Sequence, residues 1–155
     1  MKPRLYFDTS VFGGIFDEEF RLETEKLFDM VENGEIICVY SDLTISELEN
    51  APEKVKDHFK NLSSANMLKV EIMEEGFSLA DQYIAEKVVG RTSYDDCLHI
   101  ATATLNKVDY LVSWNFKHIV NVFRIRGYNS INIKNGLVQL DIRSPKEIVN
   151  YGTTD

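Results

Sequence analysis

Short apolar runs alternate with amphipathic stretches along this chain, and few folds accommodate that rhythm. Residues 4–7, 35–40 (EIICVY), 67–73 (MLKVEIM), 109–114 (DYLVSW) and 137–142 (LVQLDI) have the length and side chains of strands. Between them, residues 18–33 place Phe20, Leu22, Leu27, Phe28 and Val31 at roughly helical spacing, with Gly34 as a stop. Residues 41–62 read as two helices, the second opened by Pro52. Residues 75–89 form a helix ended by Gly90, residues 92–107 another begun by a hydroxyl cap, and residues 116–127 a last one. Strand–helix alternation predicts an α/β domain with a largely parallel sheet. In such sheets ligands bind beyond the carboxyl ends of the strands.

The remaining bounds are broad. A length of 155 residues fits one domain, 1–155, with a real core. Lys plus Arg number 17 against 25 Asp plus Glu, a net charge of −8, which disfavours non-specific attraction to nucleic acid or anionic membrane. Cys38 and Cys97 lack any metal-like spacing and read as reduced core thiols of a cytoplasmic protein. Met1 to Arg4 lead into only three apolar residues, too few for a signal peptide, and no run approaches a membrane span.

Against this background one residue is out of place. In LYFDTSVF, residues 5–12, three apolar residues suited to a strand buried on both faces run into Asp8. A carboxylate there is costly unless something neutralises it. It either caps the following turn or serves a site. Glu47 follows the second strand, Asp95 and Asp96 open the helix before the fourth, and Asn115 follows the fourth. Each has a local reading: Thr44 to Glu47 has capping-box spacing, Ser93 to Asp96 resembles one, and Asn115 suits a helix cap. Taken together, these acids and the amide fall at one sheet edge, where like charges repel unless a cation joins them. Hard oxygen ligands in that number suit Mg²⁺ or Mn²⁺.

LYFDTSVF, SDLTISELE, SYDDCLHIATATLNKVDYLVSWNFKHI and IRSPKEI, in this order, resemble the PIN-domain family, specifically its small VapC-type members. The resemblance implies a three-layer α/β/α fold and a Mg²⁺- or Mn²⁺-dependent endoribonuclease of single-stranded RNA. It also implies a toxin paired with a small antitoxin protein. The family's acids fall on Asp8, Glu47 and Asp96, with Asp95 secondary. Asn115 stands where many members carry Asp, which keeps an oxygen but removes a charge. Asp8 and Asp96 would then be metal ligands, Glu47 a ligand or base, and Asn115 the orienting group. Ser10 and Ser113 would support them by hydrogen bonds, unless they bond only their own backbone.

Other features have plainer alternatives. His99 and His118 either touch substrate or fill space, and His58, among Lys54, Lys56 and Lys60, reads as surface. Lys117, Arg124 and Arg126 with Trp114 and Phe116 are either an RNA-holding cluster or a solvated face over core aromatics. Phe12, Ile15, Phe16 and Phe20 are candidates for a homodimer contact. The rivals are a degenerate binding or regulatory module, for which Asn115 speaks, and a haloacid dehalogenase-like phosphatase. The second needs its acidic pair after the strand that here reads LVS, and Asp95-Asp96 precede it.

Overall fold

The computed structural model describes residues 1–151, so the last four residues of the expected 1–155 domain lie outside the described residues. Its five strands are β1 (Arg4–Phe7), β2 (Ile37–Tyr40), β3 (Met67–Lys69), β4 (Tyr110–Val112) and β5 (Ile142–Arg143). They form one sheet in the order β3-β2-β1-β4-β5, and every pairing is parallel. The helices are α1 (Thr9–Gly13), α2 (Arg21–Glu32), α3 (Asp42–Glu49), α4 (Glu53–Lys60), α5 (Glu74–Ala85), α6 (Tyr94–Leu105), α7 (Val122–Lys134) and α8 (Pro145–Tyr151).

Two apolar cores cover the two faces of the sheet, because successive strand residues point to opposite sides. On β1, Leu5 and Phe7 join Val11, Phe12, Leu27, Phe28 and Val31 from α1 and α2. Tyr6 faces the other way, into a core built with α5, α6 and α7 through Tyr83, Ile100, Tyr128 and Ile131. Cys38 and Val39 divide between the cores in the same manner, as do Val112 and Leu111. The result is the expected α/β/α sandwich. Both cysteines are buried and unbridged.

Several expected boundaries move, each for a local reason. The helix expected at 116–127 is instead a single turn over 116–119, followed by α7. Asn115 caps the turn and Asn121 caps α7, accepting from the Phe123 and Arg124 amides. Gly127 does not end α7; a Cβ there would meet Val88 Cγ1 at 2.8 Å, so close packing explains it. Helix α5 stops at Ala85, because Lys87 takes the left-handed conformation (φ 62°) and Gly90 begins the next turn. Gly34 (φ 75°) does follow the end of α2, as expected. The third strand is shorter than expected, the fifth keeps only Ile142 of the expected 137–142 and runs on to Arg143, and Ser93 makes no side-chain cap on α6.

Two surface expectations also fail. Phe12 is fully buried between Phe7, Phe28 and Phe59, so it is unavailable to a dimer contact. His58 is half-buried, its ring edge-on to Phe28 at 4.6 Å.

Candidate active site

The strand order reverses direction beside β1: the chain goes outward to β2 and β3, then returns to place β4 on the other side. That switch point leaves a crevice at the carboxyl ends of β1 and β4. Asp8 lies there, its amide donating to Val112 O at 3.0 Å as the last rung of the β1–β4 ladder. Its carboxylate is buried and held from several sides. Oδ1 accepts from the Ser10 amide (2.8 Å) and the Ser10 hydroxyl (2.5 Å). The Ser10 hydroxyl in turn accepts the Trp114 amide at 3.0 Å, tying β1 to β4. Asp8 is therefore the cap of α1 and a buried crevice acid at once. Burial pushes its carboxyl above the usual carboxylate range, against the opposing pull of His99, Ser10 and Ser113.

Asp96 reaches the same crevice from the first turn of α6. Burial, then the charge of Asp8 and to a lesser degree that of Glu47, pushes its carboxyl up to about 6. Asn115, just past β4, donates from Nδ2 to Asp96 Oδ2 at 3.4 Å. Its Oδ1 accepts the Lys117 and His118 amides, so the same amide side chain caps its own turn. Asp95 is exposed, one helical position away.

Glu47 comes from α3, which follows β2. The capping-box alternative for it does not hold, since Thr44 itself accepts the Ser41 amide at the start of α3. Glu47 Oε1 instead accepts from Thr9 Oγ1 (2.6 Å) and lies 2.5 Å from His99 Nε2. Burial works to raise its carboxyl, but the His99 hydrogen bond and charge, with Thr9, outweigh that and hold it below the usual range. His99 is thus more than filler, and neither it nor Thr9 was a firm candidate from sequence. The available signal was the i, i+3 spacing of Asp96 and His99 on one helix face.

For Trp114 and Arg124 the structure favours the alternative of a face over core aromatics. Trp114 is buried, stacked on Phe20 at 4.1 Å with its indole N–H on Thr24, and the Arg124 guanidinium is held by Val88 O. Phe116 and Lys117 remain exposed beside Asn115. Among the described residues, no three His, Cys, Asp or Glu side chains converge closely enough to cage a cation by themselves. No helix among them is long and apolar enough to cross a membrane.

A parallel five-stranded α/β/α sandwich with an acidic crevice at its switch point is the architecture of a PIN domain, and a PIN-domain family model matches residues 4–117. The chain belongs to that family. Among solved structures it is similar to VapBC2 from Rickettsia felis bound to a promoter DNA fragment, with TM-score 0.58 and 10% identity over 91% of this chain and 98% of that one. FitAcB from Neisseria gonorrhoeae gives TM-score 0.56 and 12% identity over 92% and 98%. A toxin–antitoxin complex from Klebsiella pneumoniae gives TM-score 0.53 and 18% identity over 73% and 88%. At these identities the likeness is one of fold. No curated protein sequence matches the chain.

Proposed function

We propose that this PIN-domain protein is a divalent-metal-dependent endoribonuclease that hydrolyses phosphodiester bonds of single-stranded RNA, using Asp8, Glu47 and Asp96. The observation that carries this reading is the approach of Asp8, Glu47 and Asp96 at one sheet edge, where burial first and then the charges of Asp8 and Glu47 push Asp96 up to about 6. Side chains that repel one another in a half-buried crevice are poised for a cation. The donor set fits Mg²⁺ or Mn²⁺: these ions take one or two carboxylates and keep several waters, so a full protein cage is not required. Asp8 and Asp96 would hold the ion, with Glu47 and Asn115 completing its surroundings.

When bound, such a cation supplies positive charge against the scissile phosphate and acidifies the attacking water. The chain's own residues do the rest. Ser10 aims Asp8 by donating to it, and Ser10 and Ser113 oppose the upward push of burial on its carboxyl. Glu47, held in its charged form, accepts the water's proton. Asn115 steadies Asp96 through its amide. Phe116, exposed beside Asn115, offers a face on which an RNA base can stack.

The structural likeness to complexes described as VapBC2, FitAcB and a toxin–antitoxin pair supports a further reading: this chain is a toxin held by a small antitoxin protein. A homodimer and a cytoplasmic location accord with that reading. One observation favours a second function, a binding module without catalysis: Asn115 lacks the charge that many family members carry, and its oxygen is engaged by two backbone amides. Incubating purified protein with single-stranded RNA decides between them. Cleavage with Mg²⁺ or Mn²⁺, its loss in EDTA and its loss in Asp8→Asn and Asp96→Asn are expected. Cleavage undiminished by EDTA, or an unaffected Asp96→Asn variant, refutes the hydrolase reading. Binding of RNA without cleavage under all metal conditions establishes the module instead.

A further inference from the structure

Behind Glu47 runs a buried hydrogen-bond chain that the proposed chemistry does not by itself require. His99, 1% exposed, places Nε2 2.5 Å from Glu47 Oε1 and Nδ1 2.6 Å from Tyr6 Oη. Tyr6 is fully buried on β1, and its Oη lies 2.7 Å from the hydroxyl of Ser41, itself fully buried at the end of β2. The Tyr6 and His99 rings meet edge-on at 5.5 Å. Four residues from β1, the β2–α3 junction, α3 and α6 are thereby linked.

The chemistry of these atoms fixes where the imidazole proton sits. A neutral ring protonated only at Nδ1 would set the Nε2 lone pair against an ionised carboxylate, which is repulsive at that distance. Nε2 must therefore carry the hydrogen. The hydroxyls accommodate either charge state of the ring. With neutral imidazole, Ser41 donates to Tyr6 and Tyr6 to Nδ1; with imidazolium, both bonds reverse. Nε2–H points at Glu47 in both cases.

Thr9 donates to the same oxygen, Oε1, at 2.6 Å. Among the described residues, Oε2 carries no hydrogen bond. Resting on the reading of Glu47 as part of the hydrolytic site, we propose that His99 is a positioning residue. Together with Thr9 it fastens Oε1, leaving Oε2 as the single oxygen that Glu47 presents to cation and substrate, while Tyr6 and Ser41 brace the ring from behind. Both donors of the clamp reach Glu47 from other elements, Thr9 from α1 and His99 from α6. The position of the working oxygen is thus set by the packing of α1, α3 and α6.

The test has two arms. Nitrogen-15 NMR of the histidines in the wild-type protein should show His99 protonated at Nε2, with that proton protected from solvent exchange. Calorimetric titration with Mn²⁺ should show His99→Leu weakened about 10- to 100-fold, the range for loss of a group that orients a metal ligand. His99→Gln, which keeps an N–H near the Nε2 position, should recover most of that loss. A proton on Nδ1 alone overturns the proposal, as does equal Mn²⁺ affinity for wild type and both variants. Equal weakening of His99→Leu and His99→Gln overturns it too, since that is what loss of packing alone produces. If His99→Leu does not fold, the wild-type NMR and the affinity of His99→Gln decide. Wild-type protein that binds no Mn²⁺ refutes the proposed function itself, an outcome separate from these.

Discussion

Replacing Asp96 by Asn should stabilise the metal-free protein, and the gain should depend on pH. The Asp96 carboxyl lies at about 6 against its ordinary 3.8, because burial and the neighbouring charges of Asp8 and Glu47 disfavour ionisation. Between those values the folded protein binds this proton more tightly than the unfolded chain does. Stability from this group is therefore present at low pH and lost as pH rises through about 6. At about 1.4 kcal/mol per pH unit the full displacement corresponds to about 3 kcal/mol. Asp96 is only half-buried, so solvent screening leaves about 1–2 kcal/mol. Against that, a first-turn acid complements the helix dipole by about 0.3–1 kcal/mol, which Asn forfeits. The net expectation is about 1 kcal/mol in favour of Asp96→Asn at neutral pH, or about 2–4 °C in Tm for a domain of this size. The difference should shrink to nothing, or reverse, near pH 4. Calorimetric melts of both proteins in EDTA across that window measure it. Adding Mn²⁺ should invert the order, because wild type gains about 2.7 kcal/mol at a hundredfold excess over Kd and the variant gains less. A pH-independent difference, or a variant less stable than wild type at neutral pH in EDTA, would show that Asp96 serves its helix dipole and not a charge-crowded site.

Asn115→Asp places a second carboxylate 3.4 Å from Asp96 while keeping the cap on the Lys117 and His118 amides. It should lower the metal-free Tm above pH 6 and tighten Mn²⁺ binding in calorimetry; identical affinities would remove Asn115 from the site. Gly14→Ala should cost about 1–3 kcal/mol in a denaturant melt. Its new Cβ would fall 2.6 Å from Thr24 Oγ1 and 2.8 Å from Trp114 Nε1, two atoms already hydrogen-bonded to each other. Phe12→Ala should cost about 3–5 kcal/mol by opening the cluster with Phe7, Phe28 and Phe59, and a cost below about 1 kcal/mol would mean the cluster collapses to fill the gap.

By itself the sequence determined the class of fold and the acids worth watching. The alternation of strand and helix periods requires a parallel sheet covered on both faces, and LYF running into Asp8 marks a strand end with a charge that needs a reason. Both follow from local pattern, so both survive folding. Which cap readings were true could not be settled that way. Ser93–Asp96 and Thr44–Glu47 have cap spacing, yet Ser93 makes no side-chain cap and Thr44 serves Ser41. Asp8 is a cap and a crevice acid together. The boundary of α7 was misleading for a related reason: Gly127 looks like a stop in one dimension and is a contact with Val88 in three. His99 shows the limit most clearly. Its partners Tyr6 and Glu47 lie 93 and 52 residues away, joined only because β1, α3 and α6 meet at the carboxyl edge of the sheet. Hydrogen-bond partnership depends on distance and direction between atoms, and across such separations only tertiary packing sets them.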